Sequence, residues 1–135
     1  MSQKSGTVKG EGFRKEYFMG GASPRSVWNQ ISTSRGLSEW FAPKVDIFVD
    51  RVHVYWDQQG DDREGTIETR KEGSVIKWVW NDDPESFLSM KVVSTELSHV
   101  TSLLVDDHDR SLSPVTLEAL WEVHIEKLKA TLGIP

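Results

Sequence analysis

A long stretch of strand-like residues, followed by one long helix-like segment, constrains the fold of this sequence more than any other feature. Beyond residue 44, apolar and polar side chains alternate along six short runs that turn residues such as Gly, Asp and Pro separate. These runs are 45–49, 51–57, 63–70, 74–81, 86–95 and 99–106. Strands joined by short turns form hairpins, so the alternation predicts one antiparallel sheet.

The last segment, residues 114–132, has helical periodicity. Ser113 and Pro114 are typical of a helix start, and Gly133 is typical of a helix end. The apolar stripe of this segment is formed by Leu117, Leu120, Trp121, His124, Leu128 and Leu132. A helix with a single apolar stripe must bury it, and the sheet is the only large partner that the pattern offers. We therefore expect the helix to lie against the sheet.

Three shorter elements are predicted before the sheet runs. Residues 13–19 alternate as a strand does, and residues 24–32 and 34–41 have helical spacing. The whole order predicts an α+β fold of the helix-grip type, in which a curved antiparallel sheet wraps the long C-terminal helix and two short helices close one end. We expect a flexible N-terminus over residues 1–12 and a single domain over residues 13–135.

Composition argues against several classes of function. The formal charge of −5 over 135 residues opposes binding to a phosphate backbone, so we predict no nucleic-acid partner. No cysteine is present, which excludes thiolate nucleophiles and cysteine-ligated zinc. No apolar run approaches the roughly 20 residues that span a bilayer, and no secretory signal is visible, so we expect a cytoplasmic protein that is not an integral membrane protein. Without a nucleophile, phosphate-loop or zinc-protease motif, we predict no catalytic residue, metal or cofactor.

Motifs spread over nearly the whole chain carry a family resemblance. Residues 22–28 (ASPRSVW) and 36–42 (GLSEWFA) are similar to the signature near the start of START-like domains related to the activator of the heat-shock ATPase. Residues 65–67 (GTI) and 76–80 (IKWVW) resemble a pair of strands in that family. The most similar branch is the short, single-domain bacterial one. The resemblance implies the helix-grip fold and a superfamily of lipid carriers, hormone receptors, polyketide cyclases and chaperone activators.

Six tryptophans are an excess for a chain of 135 residues, and most of them are predicted to converge. Strand parity places Trp56, Trp78 and Trp80 on the sheet face toward the long helix, where Trp121 and His124 lie on the apolar stripe. Such a cluster can line a pocket for a hydrophobic ligand, with His124 as its polar anchor. It can equally fill the space between sheet and helix, and the sequence leaves both interpretations open.

Two further features have a functional and an ordinary interpretation. His124 could act as a general base in the pocket, but a helix histidine is more often a satisfied or partly exposed residue. The acidic run from Asp106 to Asp109 could hold a divalent cation, but it lacks the glycine and the distal glutamate of a calcium loop. We predict a solvated turn there.

Three functions are consistent with these patterns and with the family resemblance. The preferred one is a non-catalytic START-like domain that binds a small hydrophobic ligand, such as a lipid, between sheet and helix. The second is a protein-interaction module like the chaperone activators, with a chaperone or another protein as partner. The third is a cyclase or dehydratase, for which His124 is the only acid or base that the pattern provides. The oligomeric state is not predicted.

Overall fold

The computed structural model describes residues 12–57, 60–95, 97 and 99–135, so the predicted flexible segment 1–12 lies outside it except for Gly12. Across these residues the chain forms seven strands and three helices. The strands are β1 (Phe13–Phe18), β2 (Lys44–Phe48), β3 (Arg51–Tyr55), β4 (Asp62–Lys71), β5 (Val75–Trp80), β6 (Asp83–Thr95) and β7 (Val100–His108). The helices are α1 (Pro24–Ser32), α2 (Ser34–Trp40) and α3 (Pro114–Leu132). No helix in the described part of the chain is long and apolar enough to cross a membrane.

The strands form one antiparallel sheet in the order β1-β7-β6-β5-β4-β3-β2. Successive strands from β2 to β7 are neighbours, as short turns require, and β1 pairs with β7 at one edge. The pairing shifts between Ile67 and Thr69 in β4 and between Val79 and Trp80 in β5. Irregularities of this kind increase the local twist and bend of a sheet. The predicted α+β helix-grip fold, a curved sheet with a C-terminal helix, is confirmed.

Side-chain caps set the ends of the helices. The hydroxyl oxygens of Ser23 and Ser113 accept hydrogen bonds from the backbone N–H groups of Ser26 and Thr116, the third residues of α1 and α3. Thr33 ends α1 and caps α2 in the same way, which allows the two short helices to follow one another with a single residue between them. Gly133 ends α3 with a φ of 75°, a left-handed conformation that glycine adopts without strain.

The buried core confirms the strand parity predicted for β3 and β5. Val52 and Val54 are fully buried, and Ile76, Trp78 and Trp80 are at most 4% exposed. The stripe predicted for α3 is only partly correct. The helix buries Leu117, Trp121, Ile125 and Leu128, whereas Leu120 is 43% exposed. The buried face of α3 therefore includes Ile125 and excludes Leu120, because the sheet and α2 pack against α3 on the Ile125 side.

Three predicted strand boundaries are wrong by two or three residues, and one of them is the end of β3, which lies at Tyr55 and not at residue 57. Strand β7 extends to His108, so most of the acidic run belongs to a strand and not to a turn. Strand β6 begins at Asp83, and Pro84 lies inside it, at the irregular start where β6 leaves its register with β5. A proline is tolerated there because the ladder of hydrogen bonds is already interrupted.

Candidate functional site

A cavity of about 730 Å³ opens between the sheet and α3. Its aromatic lining consists of Phe41, Trp56, Trp80 and Trp121. Its aliphatic lining consists of Leu88, Leu112, Leu117 and Leu120. A volume of this size lies within the roughly 300 to 1,000 Å³ that is typical of small-molecule sites. The space between sheet and helix is therefore not completely filled by side chains.

Four of the five residues predicted to line a pocket border this cavity. Trp56, Trp80, Trp121 and His124 lie on its wall, and they come from three different parts of the chain. The fifth residue, Trp78, does not line it and is fully buried in the core. The tryptophans thus divide between a filled part and an open part of the interior.

Trp78 supports the cavity wall from behind. Its ring packs edge-on against Phe41 at 6.1 Å and against Trp80 at 6.0 Å, centroid to centroid. On the neighbouring strand, Gly65 leaves room for this ring, because a Cβ atom there would come within 2.8 Å of Trp78 Cδ1. The glycine is therefore needed for the close approach of β4 to the indole, and Trp78 in turn holds two lining rings in place.

His124 lies among aromatic rings at the cavity wall. Its ring centroid is 5.3 Å from that of Phe41, 5.2 Å from Trp121 and 6.2 Å from Trp40. Its Nδ1 atom is buried and has no hydrogen-bond partner among the described residues. Burial lowers the pKa of His124 to about 4, and the charge of Lys127 acts in the same direction. The imidazole is thus neutral near pH 7, with one nitrogen left unpaired beside the cavity.

Asp107 is a cavity residue that the sequence interpretation missed. It lies on β7, and its Oδ2 atom accepts a hydrogen bond of 2.8 Å from Trp121 Nε1 on α3. Burial raises its pKa to about 6; the hydrogen bond from Trp121 opposes this change, and the neighbouring charge of Asp109 adds to it. Asp107 is therefore a second titratable group at the pocket, where the sequence pattern provided only His124. A carboxyl and an imidazole both flank Trp121.

Asp109 and Arg63 form an ion pair at the polar end of the cavity. The distance from Arg63 Nη1 to Asp109 Oδ2 is 2.8 Å, and Asp109 is only 8% exposed. Although burial disfavours its charge, hydrogen bonds from Ser111 and the ion pair with Arg63 lower the pKa of Asp109. The prediction of a solvated turn for the acidic run is thus wrong at Asp109. Arg63 also contacts Asp82 and stacks on the Trp80 ring at 4.5 Å.

Strand parity was the signal that could have found Asp107. Leu103 and Val105 are fully buried on β7, and Asp107 follows two residues later on the same face. The predicted strand ended one residue too early for this to be seen, because charged residues are rarely placed in a core. Among the described residues, no group of three or more His, Cys, Asp or Glu side chains is arranged to hold a metal ion.

A comparison with protein families gives a match over almost the entire chain. The family described as a START-like superfamily domain matches residues 8–134. Among proteins with curated descriptions, none matches the sequence.

Several solved structures share the fold. An Aha1 dimer from Colwellia psychrerythraea is 14% identical with a TM-score of 0.68, and the match covers 89% of this chain and 94% of that one. A protein from Bacteroides fragilis is 28% identical with a TM-score of 0.62, and 91% of each chain is covered. DynU16, from the dynemicin biosynthetic locus, is 18% identical with a TM-score of 0.72, over 90% of this chain and 46% of that one.

Proposed function

This chain belongs to the START-like superfamily, and we propose that it is a non-catalytic domain that binds a small hydrophobic molecule between its sheet and its C-terminal helix. The observation that carries the proposal is the cavity of about 730 Å³ with four aromatic side chains on its wall. Pockets that hold small ligands are typically concave, mostly apolar and equipped with a few polar groups. This cavity is concave and has apolar rings on its wall, but its polar groups are more numerous than is typical, since nine of its seventeen described lining residues are polar.

An open aromatic cavity has an energetic cost that a ligand would remove. Apolar surface exposed to water costs about 25 cal/mol per Å² relative to buried surface. Trp56 is only partly buried although it packs against the core. On the same cavity wall, the ring centroid of Trp80 lies 6.3 Å from that of Trp56. A hydrophobic ligand would cover the exposed part of Trp56, whereas Trp80 and Trp121 are at most 4% exposed and would only shape the wall. His124, whose ring borders the cavity, would act as a polar anchor. We expect the protein to do this in the cytoplasm.

Two substitutions at exposed positions of α3, one at the cavity mouth and one away from it, test the proposal. Leu120 lines the cavity mouth and is 43% exposed, so Leu120→Trp should narrow the mouth without disturbing the core. Val115 is 78% exposed and does not line the cavity, so Val115→Trp is the matched control. Binding is measured by titration with the fluorescent probe N-phenylnaphthylamine. We expect Leu120→Trp to weaken binding about tenfold, which corresponds to about 1.4 kcal/mol, and Val115→Trp to leave it unchanged.

Two results would count against ligand binding in this cavity. If the wild-type protein does not enhance the fluorescence of the probe, the cavity does not take up apolar molecules. If both tryptophan substitutions weaken binding equally, the probe binds elsewhere on α3. Native mass spectrometry of protein purified from its own host adds an independent measurement, because a retained ligand would appear as a fixed mass increment.

A protein-interaction module is the second candidate, and one surface feature favours it. The hairpin between β2 and β3 exposes Phe48 and Val49, which are 72% and 80% accessible. Val49 has a φ of 57°, which is unfavourable for a β-branched residue. Apolar residues held at an exposed tip are typical of contact sites. The test is a binding titration with a heat-shock ATPase: Phe48→Ser should abolish binding, and Val115→Ser should not.

A further inference from the structure

The polar part of the cavity lining is strongly acidic. Six aspartates and one arginine lie among the described lining residues. Four of the aspartates have a basic partner: Asp62 contacts His53, Asp82 and Asp109 contact Arg63, and Asp83 contacts Arg110. Arg63 serves two of these carboxylates, and the other two aspartates form no ion pair with a described residue, so carboxylates outnumber basic groups at the cavity mouth and positively charged molecules are attracted to it.

Among the described lining residues, none offers an acidic ligand a free cation. Arg63, the only arginine or lysine among the described lining residues, is already held by two carboxylates and by the face of Trp80. His124 also borders the cavity, but its imidazole is neutral near pH 7 because burial lowers its pKa to about 4. A fatty acid or another carboxylate ligand would therefore have to bury its charge against other negative charges, which is costly.

Asp107 lies where a ligand cation would be best recognised. Its one hydrogen-bond donor among the described residues is Trp121 Nε1, and no lysine or arginine there forms an ion pair with it. Three aromatic rings lie on the same cavity wall: Trp56 keeps an exposed part, whereas Trp80 and Trp121 are at most 4% exposed and Arg63 lies over the face of Trp80. Aromatic faces and a carboxylate together are the groups that bind ammonium ions in proteins.

We infer that the cavity selects a cationic amphiphile, a molecule with an apolar, preferably aromatic, body and a protonated amine that contacts the Asp107 carboxylate. This inference rests on the proposed ligand-binding function and narrows it from hydrophobic molecules in general to organic amines.

A purely structural role does not explain the charge of Asp107. An asparagine would accept the same hydrogen bond from Trp121 and would avoid the desolvation of a carboxylate. The protein instead keeps an ionisable group where burial disfavours its charge. Ionisable groups whose pKa values are changed by burial in a cleft are typical of functional sites. A ligand amine would offset that cost when it binds.

Three probes with the same ring and different charge test the inference. Naphthylethylamine is cationic near pH 8, naphthylethanol is neutral and naphthylacetate is anionic. Affinities are measured by isothermal titration calorimetry at low ionic strength. We expect the amine to bind about tenfold more tightly than the alcohol, since a charge-assisted hydrogen bond contributes more than a neutral one. The carboxylate should bind more weakly than both.

Two isosteric variants test whether Asp107 causes the preference for the amine over the alcohol. Asp107→Asn removes the charge and keeps an acceptor for Trp121, whereas Asp106→Asn removes the same charge from the neighbouring position, which parity places on the opposite face of β7. Asp107→Asn should lower the affinity for the amine about tenfold and change that for the alcohol by less than about threefold. Asp106→Asn should retain the preference for the amine.

The outcomes separate this inference from the proposed function. If the alcohol binds and the amine is not preferred, the inference is wrong and hydrophobic ligand binding stands. The same conclusion follows if Asp107→Asn binds the amine as tightly as the wild type does. If none of the three probes binds to the wild-type protein, both the inference and the proposed function fail.

Discussion

The interior of this molecule has a filled region and an open region, both built from the same kinds of residue. Trp78 belongs to the filled region, and Met90, Leu103 and Leu128 are fully buried in the same core. Around Trp80 and Trp121 the sheet and α3 leave a cavity of about 730 Å³. Ring size does not distinguish the regions, because tryptophans occur in both.

Polar side chains distinguish them. The open region contains Asp107, His124 and the ion pair of Arg63 with Asp109, whereas the core around Trp78 is apolar. Carboxylates resist complete burial because desolvation of their charge is costly, so the surrounding elements cannot close on them as they close on leucine or methionine. The cavity therefore exists where the lining must remain hydrated or meet a ligand.

The largest expected difference between the two regions is the cost of deleting a tryptophan. Trp78→Ala should lower the free energy of unfolding by about 3 to 5 kcal/mol, because a fully buried ring leaves a cavity in a packed core. Trp56→Ala should cost about 1 kcal/mol, because the ring is only partly buried. Urea unfolding monitored by far-ultraviolet circular dichroism measures both values. Equal costs would show that the two regions are packed alike.

A second, smaller contrast lies along α3. Leu128→Ala should cost about 2 to 4 kcal/mol, because Leu128 is fully buried in the filled region. Leu120→Ala should cost less than about 1 kcal/mol, because Leu120 is 43% exposed at the cavity mouth. Thermal unfolding of the two variants, which undergo the same chemical change, measures the difference. If Leu120→Ala is the more damaging of the two, the buried stripe of α3 is not the one described above.

The smallest net effect concerns pH, because the two titratable groups of the open region act in opposite directions. The pKa of Asp107 is about 6 in the folded protein, above the ordinary 3.8. As the pH falls from about 6 to 4, the folded state therefore takes up this proton first and gains stability. The pKa of His124 is about 4, below the ordinary 6.5, so the unfolded state takes up that proton first and stability is lost.

Single variants separate these two opposing contributions to the free energy of unfolding, each of which is about 2 to 3 kcal/mol over this pH range. His124→Gln removes the term that destabilises the protein in acid, so its stability relative to wild type should increase between pH 6.5 and 4. Asp107→Asn removes the stabilising term, so its relative stability should decrease over the same range. Urea unfolding at pH 4, 5, 6 and 7 gives, for each variant, the difference in free energy of unfolding from wild type at each of the four pH values. Parallel curves for wild type and both variants would mean that neither group changes its pKa on folding.

The fold was predictable because its signals are local. Alternation along 51–57 and 74–81 indicated which side chains of β3 and β5 face inward, and Val54, Trp78 and Trp80 are buried accordingly. Ser113 and Gly133 marked the ends of α3 correctly. These patterns depend on neighbouring residues alone, since the backbone period of a strand or a helix decides which face each residue occupies.

The candidate site was predictable only in part. Parity brought Trp56, Trp80, Trp121 and His124 to one wall, where the structure also has them. It missed Asp107, because the predicted β7 ended before that residue, and it grouped Trp78 with the lining although the ring lies in the core. Distinguishing lining from core requires the distance between sheet and helix, which no local pattern encodes.

By itself, then, the sequence determined the order of the elements, the faces that they bury and the family to which the chain belongs. The tertiary structure alone decided that the space between the sheet and α3 stays open at one end, and that a carboxylate lies on its wall beside Trp121. The physical reason is that a cavity is the volume left between elements far apart in the chain. Its size depends on bulges, on ring orientation and on the cost of burying charge, and these are settled only when the whole molecule packs.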